Sequence, residues 1–149
     1  MQVCIYIRIM WLAVRNRLPT NDRRFRHHMS ADAQCPICPL DEDLDHLLIG
    51  CPNASEVWSL LFPSAPAPAS TLAELLDDHA RSFAGATICT AVAWHIWKRR
   101  NNKVFNGIID PPLVTVRSCI ADVRLWAHRC RSQVVADHLL RWCTLSDPP

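Results

Sequence analysis

Four residues of this chain have the types and spacing to grip a metal ion: Cys35-x2-Cys38-x7-His46-x4-Cys51. Two cysteines three positions apart can bring both sulfurs to one cation through a tight turn. A histidine and a third cysteine five positions apart, near a helix start, can complete a tetrahedron. Zn²⁺ favours this mixture of thiolate and imidazole, at about 2.3 Å to sulfur and about 2.0 Å to nitrogen. Four protein ligands leave no open position for water, so such a site holds shape and activates no nucleophile. Three thiolates around a divalent cation leave the core with one net negative charge.

Other chemistries fit parts of the same residues. Cys35-Pro36-Ile37-Cys38 has the form of a thiol redox pair. Such a pair needs a preceding strand and a helix beginning at its first cysteine to lower the thiol pKa. The lead-in Ser30-Ala31-Asp32-Ala33-Gln34 is not a strand pattern. A thiol oxidoreductase using Cys35 and Cys38 is therefore an alternative that lacks its context. The same tetrapeptide opens many RING fingers, but the partner expected for Cys51 is missing, because position 54 is Ala. Unliganded buried thiols are the plainest reading. A stretch holding Asp41, Glu42, Asp43 and Asp45 does not read as core.

The elements around the cluster read as helices. Ile5 to Leu18 carries Ile5, Ile9, Leu12 and Val14 broadly on one side and stops at Pro19. Residues 20–34 are polar and rich in Arg and His, which predicts a loop or a short frayed helix. Asn53-Ala54-Ser55-Glu56 has the form of a capping box ahead of Val57, Trp58, Leu60 and Leu61. Residues 63–70 are Pro/Ala-rich and read as a stiff linker. Thr71-Leu72-Ala73-Glu74 offers a second capping box. A long helix is predicted over about 86–104, with Asn106-Gly107 as its left-handed stop. A single last helix is predicted from Pro111-Pro112 to about Trp142, on the stripe Val116, Ile120, Val123, Ala127, Cys130 and Val134. Cys4, Cys89, Cys119, Cys130 and Cys143 sit in apolar helical patterns and read as small core residues. The expected architecture is all-α: a zinc-binding helical module over 1–62, the linker 63–70, and a helical region over 71–149.

Composition narrows the function further. At 149 residues, with 50% hydrophobic and 20% charged residues, the chain has a globular balance. Its three glycines, at 50, 85 and 107, are too scattered for either common Gly-rich phosphate loop. The net charge of +2 hides blocks: residues 1–30 carry six Arg and one Asp, and residues 31–60 carry six acids and no Lys or Arg. The longest apolar stretch, Val3 to Val14, is broken by Arg8 and falls short of the ~20 residues of a spanning helix. It has neither the basic start nor the small-residue cleavage site of a secretory signal. An intracellular setting, nuclear or cytoplasmic, is the expectation, and in a reducing compartment cysteines serve better as ligands than as disulfides.

The cluster and its flanks together bring a family into view. Trp11-Leu12-Ala13-Val14-Arg15-Asn16-Arg17-Leu18-Pro19-Thr20 precedes it, and His46-Leu47-Leu48, Cys51-Pro52 and Val57-Trp58 complete it. Downstream stands Trp94-His95-Ile96-Trp97-Lys98-Arg99-Arg100-Asn101-Asn102-Lys103-Val104-Phe105-Asn106-Gly107. This order resembles the zinc-binding domain that follows the polymerase in plant non-LTR (LINE-type) retrotransposon reverse transcriptases. The resemblance implies one structural Zn²⁺ on Cys35, Cys38, His46 and Cys51. It also implies a fragment of a mobile-element polyprotein, with other parts of that polyprotein as partners.

Polymerase chemistry needs a Y-x-D-D hairpin and a further carboxylate for two Mg²⁺ ions. The only Asp pair, Asp77-Asp78, follows Leu75-Leu76 on a predicted helix, and no carboxylate cluster suggests a nuclease. The expected chain is therefore not an enzyme. Arg15, Arg17, Arg23, Arg24, Arg26, Lys98, Arg99, Arg100 and Lys103 could contact the phosphates of RNA or DNA. The acids of the metal loop would repel phosphate, so the basic segments must supply that face. The leading expectation is a zinc module that assists nucleic-acid binding. The alternative is a scaffold or protein-interaction remnant without nucleic-acid affinity.

Overall fold

The computed structural model describes residues 2–63, 71–79 and 81–147, without the side chains of residues 2–6, 78 and 79. The linker expected at 63–70 lies, beyond Pro63, outside the described residues, as does the side chain of Cys4. Among the described residues seven α-helices follow in chain order: α1 (Gln2–Val14), α2 (Asn21–Arg26), α3 (Pro52–Leu61), α4 (Leu72–His79), α5 (Phe83–Asn106), α6 (Pro112–Ala127) and α7 (Gln133–Ser146). A π-helical turn, His46–Gly50, stands immediately before α3. The described residues contain no strand; an isolated antiparallel bridge pairs Gln34 with Asp41. The fold is all-α.

α5 is the central post. α1, α4, α6, α7 and the π turn all pack on it, while α3 lies against α6. Its inward face carries Ile88, Cys89, Val92, Ile96 and Trp97, all buried. They meet Val57 and Leu61 of α3, Val116, Ile120 and Val123 of α6, and Leu139 and Cys143 of α7 in one core. That core is continuous with Leu47, Leu48 and Ile49 of the π turn. Complete burial of a side chain such as Leu48 contributes roughly 1.5–3 kcal/mol. Cys89, Cys119 and Cys143 are buried within it, as expected.

Local chemistry sets the helix ends. α1 stops at Val14, four residues before the expected Leu18, because Asn16 takes a left-handed φ of 50°. The amides of Asn16 and Arg17 then bond back to the carbonyls of Ala13 (2.8 Å) and Leu12 (2.7 Å), closing the helix in a Schellman arrangement. Val14 is exposed, contrary to the apolar face read from the sequence, and Ala13 turns inward instead. The box at Asn53 is not used as a cap. α3 begins two residues earlier than that box would set it, at Pro52, whose fixed φ suits a first turn. The Cys51 carbonyl then receives the amides of Ala54 and Ser55. Thr71 does cap α4, its hydroxyl accepting from the Glu74 amide at 3.2 Å. α5 opens on Ser82, which accepts from the Gly85 amide, and ends at Gly107 with φ of 71°.

The expected single last helix is two. The stripe Val116, Ile120, Val123 and Ala127 is buried on α6. The chain then turns over 128–132, and α7 folds back to pack on α6. Cys130 falls in the turn, and Val134 is 78% exposed. The physical reason is a second apolar face, Ala136, Leu139 and Cys143, which a straight continuation would leave in water.

Candidate metal centre

The loop that carries the first two cysteines is closed by backbone. The Cys35 amide donates to the Leu40 carbonyl, and the Glu42 amide to the Ala33 carbonyl, each at 2.8 Å. These bonds fold residues 35–40 into a tight knuckle with Cys35 and Cys38 on one side. The second half uses the π turn. The Cys51 amide reaches the His46 carbonyl at 2.7 Å, an i→i+5 bond that brings two residues five apart together. Asp43 caps this turn, accepting from the His46 amide at 2.7 Å. Asp45 accepts from the Leu72 amide at 2.8 Å, tying the turn to α4. Behind it, the Trp58 indole donates to the Leu48 carbonyl at 2.8 Å.

The donor atoms of Cys35, Cys38, His46 and Cys51 all lie within 4.8 Å of one another. Bonds of about 2.3 Å around a tetrahedral zinc require sulfurs about 3.8 Å apart, so the four are already gathered at nearly that scale. Cys38 Sγ and His46 Nε2 are 3.2 Å apart. Cys35 and Cys51 are buried, Cys38 and His46 half-buried. The hydrogen bond to Cys51, and then burial, push the Cys35 thiol far up, and the same bond draws Cys51 down. Backbone amides at Ile37 and Cys38 oppose the rise at Cys35, and the amide of Asn53 helps lower Cys51. Amides aimed at sulfur stabilise thiolates, the form in which cysteine binds metal. The donor set, its convergence and its closed shell fit one structural Zn²⁺.

Glu42 departs from the expectation of an acidic, solvated loop. It is fully buried and takes Arg100 of α5 in a two-pronged ion pair. The Glu42 carboxylate also accepts the Asn21 amide at 2.8 Å, and Arg100 donates to Asn21 Oδ1 at 3.0 Å. Asn21 in turn donates to the Gln34 carbonyl at 2.6 Å. This buried network braces the metal knuckle against α2 and α5. Its two charged members are 58 residues apart, so no local pattern announced it.

The basic residues part company. Arg99 and Arg100, expected to face phosphate, are 5% and 3% exposed. Arg99 donates to the carbonyls of Asp110 (2.6 Å) and Asn53 (3.0 Å), and burial lowers its pKa against the pull of Glu56, Asp110 and Cys51. Both guanidinium groups point inward and are engaged by protein, which removes them from a nucleic-acid face. Arg15 and Arg17 are exposed, with the Arg15 guanidinium over the Trp11 ring. Arg23 and Arg24 are half-exposed, and Arg26 pairs with Asp22. Lys98 is exposed, its ammonium 5.9 Å from the Trp94 ring centre, and Lys103 is half-exposed. Trp58 and Trp97 belong to the core.

One further pair escaped the sequence reading. His95, 6% exposed on α5, sits 2.8 Å through Nε2 from Asp122 Oδ2 of α6. Burial lowers the imidazole pKa most, Asp122 opposes, and Lys98 adds to the lowering.

Residues 5–58 match the family described as zinc-binding in reverse transcriptase. The chain is also similar to an Arabidopsis thaliana protein named for ribonuclease H, at 27% identity over 106 residues. That alignment takes in 64% of this chain and 17% of the relative, so the chain spans a small part of the relative's length. No solved structure matches.

Proposed function

From a segment that matches the reverse-transcriptase zinc-binding family, we propose a non-catalytic module, stiffened by one zinc, that helps a retroelement polyprotein hold nucleic acid. The observation that carries the reading is the convergence of four protein donors with no fifth position. Such a centre fixes the knuckle and the start of α3, and leaves chemistry to other parts of the polyprotein. The cationic side chains that remain outward, Arg15, Arg17, Arg23, Arg24, Lys98 and Lys103, supply a sequence-independent attraction for phosphate. The thiol-redox alternative is disfavoured by geometry: no helix begins at Cys35.

A second reading, a scaffold without nucleic-acid affinity, draws support from the inward turn of Arg99 and Arg100. A salt titration of RNA and DNA binding to the zinc-loaded protein separates the two. A charge-driven binder loses affinity steeply as salt rises. Absence of binding at low salt would establish the scaffold reading instead.

A further inference from the structure

The C-terminal half of α5 and the start of α6 enclose an open groove of about 390 Å³, within the size range of small-ligand sites. Its lining adds exposed and polar groups to the edge of the core. Phe105 stands at the rim, 77% exposed. Trp94 forms the opposite part of the same helix face, with the Lys98 ammonium over its ring. The lining also carries hydrogen-bonding groups beside Trp97 and Val114: Asn102, which donates to Asp110 Oδ2 at 3.1 Å, and Ser118 of α6.

Positions 94, 98, 102 and 105 recur at helical spacing, so two aromatic planes, a cation and an amide share one side of α5. The apolar groups serve as faces, while hydrogen-bonding groups lie between them. A planar heterocycle with polar edges, joined to an anionic backbone, matches the groove on all three counts. Aromatic faces and neighbouring cations are how single strands are held without sequence preference, because every base has a π face. Duplex bases, stacked and paired, cannot present that face.

We propose that this groove binds single-stranded nucleic acid, stacking a base on the exposed Phe105 ring with the backbone phosphate on Lys98. The Asn102–Asp110 pair meets the edge of the base. The inference rests on the nucleic-acid reading above and gives it a place.

The test uses the zinc-loaded full chain, fluorescently labelled oligo(rU) and oligo(dT), and a duplex of equal length, by anisotropy across salt concentrations. Both single strands should bind more tightly than the duplex. Phe105→Ala should weaken single-strand binding by on the order of tenfold while leaving the duplex unchanged. Lys98→Ala should lower the single-strand salt slope by about 0.7. Phe105→Leu, which keeps an apolar side chain but no ring face, should behave like the alanine variant. Both Phe105 variants alter an exposed residue, and their circular dichroism should match the parent. If single strands bind, Phe105 and Lys98 variants change nothing, and Arg17→Ala with Arg24→Ala weakens binding, the groove is overturned while the broader reading stands. That outcome would leave exposed Phe105 as a protein contact. If neither strand nor duplex binds at low salt, the broader reading falls with it.

Discussion

Cys38 meets solvent more than Cys35 or Cys51 and lies beside the His46 imidazole, so it is the ligand whose loss disturbs packing least. Cys38→Ala should nevertheless release the zinc. Elemental analysis of the purified protein should fall from one zinc per chain to none, and metal left unchanged would mean the ligand set is wrong. Binding energy at such a site is folding energy, so residues 30–62 should lose amide protection in the variant. His95 makes a separate prediction. Its folded-state pKa lies below the ordinary 6.5, so the unfolded chain takes up a proton first as pH falls. Its contribution is whole above 6.5 and is lost as pH descends through the lower folded value. Urea denaturation at several pH values should show less acid destabilisation in His95→Gln than in the parent. An identical pH profile would place the imidazole in an unperturbed setting.

At the scale of elements, caps decide more than propensity. Gly107 sits at φ of 71°, and a Cβ there would meet no atom within 4 Å. Gly107→Ala therefore isolates backbone strain from crowding and should cost about 1–2 kcal/mol, read as a lower urea midpoint at unchanged slope. The left-handed stop at Gly107 was legible because only one residue type is at ease there. The end of α1 was not, since asparagine adopts the same φ less often and Pro19 offered a more conspicuous stop. Pro52 similarly outcompeted the Asn53 box, because a residue with no amide to satisfy is a ready first-turn residue. The break between α6 and α7 lacks proline and glycine altogether. It is imposed by the need to bury both Ile120 and Leu139, a requirement that only the assembled core states. The ligand spacing was fully readable, because metal geometry constrains sequence over short distances. The Glu42–Arg100 and His95–Asp122 pairs were not, because their partners are distant in the chain.

For the molecule as a whole, the buried Glu42–Arg100 pair is the joint between the metal knuckle and the helical body. Removing one partner strands a charge away from water, which typically costs about 3–5 kcal/mol. Arg100→Met should lower stability by that order and weaken zinc retention against a chelator. Glu42→Leu combined with Arg100→Met should recover most of the stability, since an apolar pair of similar volume often replaces a buried ion pair without loss. Failure of the double variant to recover would show that the Asn21 hydrogen bonds, rather than the charges, hold the joint.

The stretch recognisable by family ends at residue 58, yet the counter-charge for its innermost carboxylate arrives 42 positions later, at Arg100. Excising that stretch alone would therefore yield a peptide with an orphaned acid at its heart, and the smallest piece able to stand by itself must reach well into the C-terminal half of α5.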